Sequence, residues 1–496
     1  MSSTVPAARE STALASDRLG VPAVMFFILS AIAPMTVAAG VVTTLYAVTG
    51  LSAIGAAFLA VAVVLAVFAV GYVAMARHIT NAGALYAFVS RGLGRPLGVG
   101  AALVAAIAYN LLQVGLYGMF GPTLAGYLKD KVGLDLSWWV WALAAWLVVA
   151  VLGVLRVDLN GRVLAVLLTA EVAVLLVLAV AGLGDPAAGF PLTSLSPGGL
   201  FGHPGVGALL VTALLGYTGF EASAVFSEEA KIPRRTVPVA TYTSLALIAA
   251  VYTLASWAMS VHYGDDKVAA VAGEQGPGML FSMAGSTMAE IATVLFMTSL
   301  FAAMVSFHNA VGRYMFALGR EHVLPGALGR TQPRTGAPRA ASLAQSAFGL
   351  AVIVVYAVAG WDPTVRLFFW LGTTGAFGVL CLLAAASIAV IRFFARYPLG
   401  ENAWRRLVAP ALATLALLGM VWAGVANYAT LLGVAPGATE AWALPAAFAV
   451  AAVVGVAYGL WLRSARPGVY QGIGLGADTG PSAAPGSRAE PEAAGI

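Results

Sequence analysis

Gly216-Tyr217-Thr218-Gly219 interrupts a hydrophobic run that extends from about residue 205 to residue 226. Ala31-Ile32-Ala33-Pro34-Met35-Thr36 interrupts another, residues 21–46, at the matching place in the first half of the chain. Each break falls roughly halfway along its run. Inside a bilayer, irregular backbone persists only where protein or a water-filled cavity satisfies its polar groups. A pair of interrupted hydrophobic segments at corresponding positions of two halves is a sequence pointer to a substrate site between transmembrane helices. Everything else in the chain is read outward from that pair.

The 496 residues are 60% hydrophobic and 9% charged, with a mean hydropathy of +0.90. A soluble domain carries about 25% charged residues, so this is an all-α polytopic membrane protein. Runs of roughly 20 apolar residues suffice to cross a bilayer. They number twelve here: 21–46, 52–76, 97–121, 137–155, 162–183, 205–227, 238–262, 284–312, 341–360, 364–391, 405–432 and 441–462. With both termini placed in the cytoplasm, 22 of the 26 basic residues fall in cytoplasmic segments, leaving Lys129, Lys131, Lys267 and Arg366 outside. Adding or removing one span would scramble that segregation, which is the positive-inside pattern.

The net charge of +5 follows from those cytoplasmic loops and reads as topology and contact with anionic lipid, not nucleic-acid binding. Cys381 is the single cysteine, so no intramolecular disulfide forms. Residues 1–20 lack the pattern of a cleaved signal peptide and are expected to be a cytoplasmic tail, the first span serving as insertion signal. Residues 464–496, rich in Gly, Ala, Pro and Ser, are expected to be a disordered cytoplasmic tail. The Gly472-Ile473-Gly474-Leu475-Gly476 run within it has no framing strand and helix, so it is no nucleotide fingerprint. Trp138, Trp139, Trp141 and Trp442 open spans at the level of an interfacial aromatic belt.

Spans one to five (21–183) and six to ten (205–391) form two halves that each begin with a broken helix. Five is odd, so the second half enters from the opposite side, giving inverted repeats. Spans eleven and twelve (405–462) are accessory. Within the second break, Gly216 and Gly219 let the helix unwind and a ligand approach the backbone. Glu221 follows at bilayer depth, where an ionisable group is costly and functional by default.

The string from Gly216 through Glu228-Glu229-Ala230-Lys231-Ile232-Pro233-Arg234-Arg235 resembles the sixth-helix region of the amino acid–polyamine–organocation superfamily. Asn81-Ala82-Gly83-Ala84-Leu85-Tyr86 with Gly92-Leu93-Gly94 is similar to its segment after the second span. His308-Asn309, Arg313-Tyr314 and Leu318-Gly319-Arg320-Glu321 are similar to its eighth-span exit. The resemblance covers roughly residues 20–400. It implies a LeuT-like core of five-plus-five inverted repeats with discontinuous first and sixth helices. The substrate site would lie between spans one, three, six, eight and ten. There, N–H groups of Met35, Thr36 and Val37 would receive a carboxylate at a helix start that favours anions. Ala33 and Pro34 would form the break itself. Carbonyls around Leu215, Gly216, Tyr217 and Thr218 would receive an amino group, and Tyr217 or Phe220 would gate the cavity. The first break departs from the family's Gly-Ser-Gly-like turn, proline breaking the helix instead. The fifth-helix lysine of some proton-coupled relatives is absent.

Three carboxylates lie within spans. Glu221 either couples and gates or stabilises the broken helix; Glu171 either relays protons or bonds structurally. Glu290, near an outer end, suits a solvated position or an inter-helix pair. Tyr109, Asn110 and Gln113 share a face of the third span and either line the cavity or bond neighbouring helices. Thr298-Ser299 offers either sodium ligands or packing, and His308 reads as structural.

The function implied is a secondary transporter that imports an amino acid across the plasma membrane by alternating access, driven by protons. Its partners are a small-molecule substrate, protons and the bilayer; no cofactor and no metal site is expected. An amine or polyamine permease, an amino acid exchanger and a transporter-like sensor are the alternatives. An enzyme or ATP-driven pump is disfavoured: there is no H-E-x-x-H or Walker A string, and the five histidines are scattered.

Overall fold

The computed structural model describes residue 14 and residues 19–155, 157–201, 203, 205–332 and 336–476, with backbone alone for 157–164. The basic residues Arg9, Arg18, Arg156, Arg334 and Arg488 of the topology argument lie outside them. Among the described residues, eleven helices are long and apolar enough to cross a bilayer. The helix Trp138–Gly153, at 16 residues, adds a shorter twelfth at the position expected of the fourth span. Numbered in chain order, span 1 is Val21–Thr49, span 2 Ile54–Ala76, span 3 Arg95–Val132, span 6 Val206–Glu229, span 8 Ser286–Arg320 and span 10 Pro363–Arg396. Span 5 is Val157–Gly184. Spans 7, 9, 11 and 12 are Pro233–Tyr263, Arg339–Ala359, Trp404–Ala426 and Thr439–Ala465.

Span 1 stops at Ile32 and restarts at Pro34, with Ala33 left-handed at φ 54° between them. Proline has no N–H to continue the ladder. A π-helical stretch, Val37–Val41, follows before α-helix resumes. Span 6 is α-helical only over Val206–Leu215. Beyond Gly219, at φ 117°, it continues as turns and two short 3₁₀ pieces, Phe220–Ser223 and Ser227–Glu229.

The unwound backbone is satisfied from span 2. The Tyr72 hydroxyl donates to the Glu221 carbonyl at 2.6 Å and accepts from the Ala224 N–H at 3.2 Å. The two breaks touch. A Cβ on Gly219 would stand 3.0 Å from Ala31 Cβ, and one on Gly216 2.8 Å from a Val37 methyl. These glycines therefore permit the crossing of the two interrupted helices.

Spans 11 and 12 flank the core by close approach of small residues. A Cβ on Gly455 of span 12 would meet the Gly100 Cα of span 3 at 2.6 Å, and Gly71 of span 2 abuts Pro410 of span 11. Spans 3 and 8 run past the apolar limits read from sequence, and where the end of span 3 meets the start of span 8, Lys131 pairs with Glu290. The expectation of disorder from residue 464 onward meets a correction. Span 12 continues to Ala465, the short helix Pro467–Gly472 follows, and Ile473 is 1% exposed. Composition does not register that Ile473 finds an apolar seat and that backbone N–H groups find an acceptor. Residues 477–496 lie outside the described residues.

Candidate functional site

A cavity of about 70 Å³, measured to the centre of a water-sized sphere, lies where the two breaks cross. Span 1 contributes Ala33, Thr36, Val37, Gly40 and Val41; span 6 contributes Leu215 and Thr218. Leu112, Gly115 and Leu116 of span 3, Ala303 and Phe307 of span 8, and Phe368, Phe369 and Gly372 of span 10 close it. These are the five spans expected to surround a substrate. Two of the wall segments are π-helical, Val37–Val41 and Pro363–Trp370; such wide turns recur at functional sites.

Threonines 36 and 218 are the hydrogen-bonding side chains of the wall, which carries no charged side chain. The Thr36 Oγ1 is buried without a partner, and its N–H faces the Ser299 hydroxyl at 3.3 Å. Both sit in the first turn of the helical run restarting at Pro34, the end of a helix that favours negative charge. The N–H groups expected to receive a carboxylate are engaged within the protein: Met35 with Glu171, Thr36 with Ser299 and Val37 with the Ala33 carbonyl at 3.0 Å. The helix restart closes its own first turn and borrows acceptors from spans 5 and 8. What the wall offers is the unpartnered Thr36 hydroxyl and an apolar surface of leucine, valine and phenylalanine.

Of the residues singled out from sequence, Ala33, Thr36, Val37, Leu215 and Thr218 line the cavity. Pro34 and Met35 lie in the break but not on its wall, and Met35 is fully buried. Gly216 and Gly219 make the helix crossing. Tyr217 donates to the Phe58 carbonyl at 2.9 Å, and Phe220 packs edge-on to Phe68, so both rings turn toward span 2. Tyr109 donates to Glu221. Gln113 donates to Tyr117 and accepts from Gln345, tying span 3 to span 9. Asn110 donates to the Ala106 carbonyl of its own helix at 2.6 Å and stands off the cavity. The cavity face of span 3 is one step round the helix, at Leu112, Gly115 and Leu116. Those residues, with Phe307, Phe368, Phe369 and Gly372, escaped the sequence reading because they carry no polar signal.

The two candidate carboxylates differ in surroundings. Glu221 is fully buried; its Oε1 accepts from Tyr109 at 2.8 Å and its Oε2 from the Gly219 N–H at 3.0 Å. Glu171 is 1% exposed and faces the Ser299 hydroxyl and the Met35 N–H, while its Oε2 has no partner. It stands behind the span 1 restart. His308 bonds Ser342 at 2.8 Å, between spans 8 and 9.

The arginine-rich side of the cavity is shut by buried ion pairs. Arg313 pairs with Glu229 and lies over the Phe226 ring, 4.9 Å from its centroid; Phe226 stacks on Phe27 of span 1. Arg320 grips Glu228 in bidentate fashion at 2.7 and 2.8 Å, and Glu228 also accepts from the Ala82 N–H at 2.9 Å. Sequence reading used these residues as a family signature; the structure joins them into one closure.

A family profile described as "Amino acid permease" matches residues 19–457. The branched-chain amino acid permease BcaP of Lactococcus lactis subsp. cremoris is 33% identical over 138 residues, 27% of this chain and 29% of that protein. Human cationic amino acid transporter 4 is 30% identical over 202 residues, 39% of this chain and 29% of that protein. Cationic amino acid transporter 5 of Arabidopsis thaliana is 27% identical over 157 residues, 30% of this chain and 26% of that protein. The aligned stretches therefore span less than a third of these curated relatives, which are permeases and transporters, not enzymes. Among solved structures, MhsT in complex with L-phenylalanine superposes with a TM-score of 0.56 at 15% identity, covering 82% of this chain and 99% of that one. That likeness gives the LeuT-like fold of two five-span repeats. With a profile match over most of its length, and with two crossed, broken helices enclosing a cavity, the chain belongs to the amino acid permease family of the amino acid–polyamine–organocation superfamily.

Proposed function

We propose that the protein is a secondary transporter that imports a neutral, aliphatic amino acid across the plasma membrane by alternating access, coupled to protons, with both termini cytoplasmic. The observation that carries the substrate class is the cavity wall: threonine hydroxyls and polar backbone at the break, apolar side chains elsewhere, and no acidic side chain. A cationic amino acid or a polyamine would need a carboxylate there, since an unpaired charge taken out of water is heavily penalised. The two cationic transporters among the relatives thus fit this wall less well than the branched-chain permease does.

In this reading the substrate carboxylate meets the unpartnered Thr36 hydroxyl and takes over the Met35 and Thr36 N–H groups from Glu171 and Ser299, and the amino group meets carbonyls around Leu215–Thr218. For coupling, Glu171 is the better-supported proton site. One of its oxygens lacks a partner in a buried setting, and it abuts the helix restart that would hold the substrate. Glu221, with both oxygens engaged, serves as the gate that fastens the unwound span 6 to span 3.

The test is uptake into proteoliposomes of labelled leucine, isoleucine and valine against arginine and spermidine, with and without an inward proton gradient. Saturable, gradient-stimulated uptake of the aliphatic set is the expected result. Uptake of arginine or spermidine instead would refute the substrate class. Saturable binding without flux would point to a sensor.

A further inference from the structure

The segment after span 12, residues 467–476, is bound to the arginine-rich closure by contacts with no evident part in folding the twelve spans. Its core is Glu321, the residue after the closure arginine Arg320, 2% exposed. The Glu321 carboxylate takes four hydrogen bonds. Two come from the segment after span 2: Asn81 Nδ2 at 3.0 Å and the Tyr86 hydroxyl. The other two come from the tail, the N–H groups of Gly474 at 2.8 Å and Gly476 at 3.0 Å.

Both tail glycines need to be glycine. They sit at φ 81° and 65°, and a Cβ would lie 2.8 Å from Ser90 Cβ in one case and 3.1 Å from Asn81 Nδ2 in the other. Left-handed backbone at alternate residues turns the Gly474 and Gly476 N–H groups toward one anion, while the Leu475 N–H between them donates to the Gly472 carbonyl. Ile473, between helix and glycines, is buried. Upstream, Arg95 donates to the Gln471 carbonyl at 3.0 Å and lies over the Tyr470 ring. The tail is thus pinned at both ends of the Gly-x-Gly-x-Gly run.

We propose that residues 467–476 form a latch that holds the cytoplasmic closure shut, and that the latch must release before the arginine-rich side opens. The physical link is the adjacency of Arg320 and Glu321. With the tail docked, Glu321 is saturated by neutral donors, and Arg320 gives its two terminal nitrogens to Glu228 on the unwound end of span 6. Undocking leaves a buried carboxylate short of two donors beside that guanidinium, whose Nε has no partner. Glu321 then competes with Glu228 for Arg320 and loosens the tie between spans 6 and 8. A buried anion stripped of hydrogen bonds seeks the nearest cation.

The test uses the full chain with Cys381→Ala and a single reporter thiol from Ser30→Cys. Ser30 is buried in the inner half of span 1, one turn outward of Phe27 and so between the closure and the cavity. An impermeant thiol reagent is applied to the cytoplasmic side of inside-out vesicles. Gly474→Ala with Gly476→Ala is expected to raise the modification rate by about tenfold or more, because two hydrogen bonds to a charged acceptor are lost. Ile473→Ala, which leaves every hydrogen-bonding partner in place, is expected to raise it by a smaller factor, and it serves as the test should the double variant fail to fold. Glu228→Gln, which breaks the closure directly, shows that the reporter reads opening. Rates in the tail variants equal to or below that of the unaltered tail, with Glu228→Gln fast, would overturn the latch. None of these rates depends on which substrate the cavity takes.

Discussion

Gly40 and Gly372 face each other's territory across the cavity, and a Cβ built on either meets no atom within 4 Å. A methyl added at Gly372 would therefore project into the space assigned to the substrate side chain without displacing protein. Gly372→Ala should not harm the fold, since alanine is the better helix former by up to about 1 kcal/mol. The added methyl removes about one methylene's worth of room. A pocket discriminates a single methylene by about 1–3 kcal/mol, or roughly 10–200-fold in the ratio of kcat/KM values. We expect Gly372→Ala to depress leucine transport relative to alanine transport within that range, and Gly40→Ala to act in the same direction. The assay is competition uptake in proteoliposomes, with unlabelled alanine, valine and leucine titrated against one labelled substrate. An unchanged ratio in both variants would show that this cavity is not where the side chain binds, and the substrate reading would fall with it.

Three further outcomes are expected. Glu171→Gln should abolish stimulation by a proton gradient while one-for-one exchange continues; persistent gradient-driven accumulation would remove Glu171 from coupling. Glu221→Gln should cut uptake more than tenfold while lowering stability by only about 1–3 kcal/mol, because an amide nitrogen turned toward the Gly219 N–H leaves that donor unsatisfied. Normal, pH-dependent flux in this variant would sink its gating role. Arg313→Ala leaves Glu229 buried and unpaired, which costs about 3–5 kcal/mol. Its thermal unfolding midpoint in detergent should fall well below that of an outer-surface control such as Glu290→Gln, whose pair with Lys131 is exposed and worth at most about 1 kcal/mol.

What the sequence made legible and what it hid divide along physical lines. The breaks could be read because Pro34, Gly216 and Gly219 change what the backbone itself can do, and backbone consequences in a bilayer are severe. The span count could be read because lipid imposes a length and charge imposes a side. The cavity wall could not, because its members are ordinary apolar residues whose facing depends on helix phase. The π-helical stretches at Val37–Val41 and Pro363–Trp370 shift that phase locally, with no residue type to announce them. Span 3 illustrates the cost. Polarity drew attention to Tyr109, Asn110 and Gln113, yet polar side chains in a membrane interior are drawn to partners: Glu221, the Ala106 carbonyl and Gln345. The cavity was left to Leu112, Gly115 and Leu116, which need none.

The same logic applies in reverse at the tail, where composition predicted disorder and the backbone ordered itself around a carboxylate. Low hydrophobicity argues that a segment cannot fold on its own; it does not argue against docking on a surface that already exists. Gly474 and Gly476 supply no side chain at all, and their contribution is two N–H groups at angles other residues avoid. Tyr72 is the counterpart inside the membrane: a single hydroxyl that serves both a carbonyl and an N–H of unwound span 6. In each case one residue resolves a backbone problem created elsewhere in the chain, and no local pattern can show it. Such pairings are therefore where substitutions should have effects out of proportion to the size of the side chain removed.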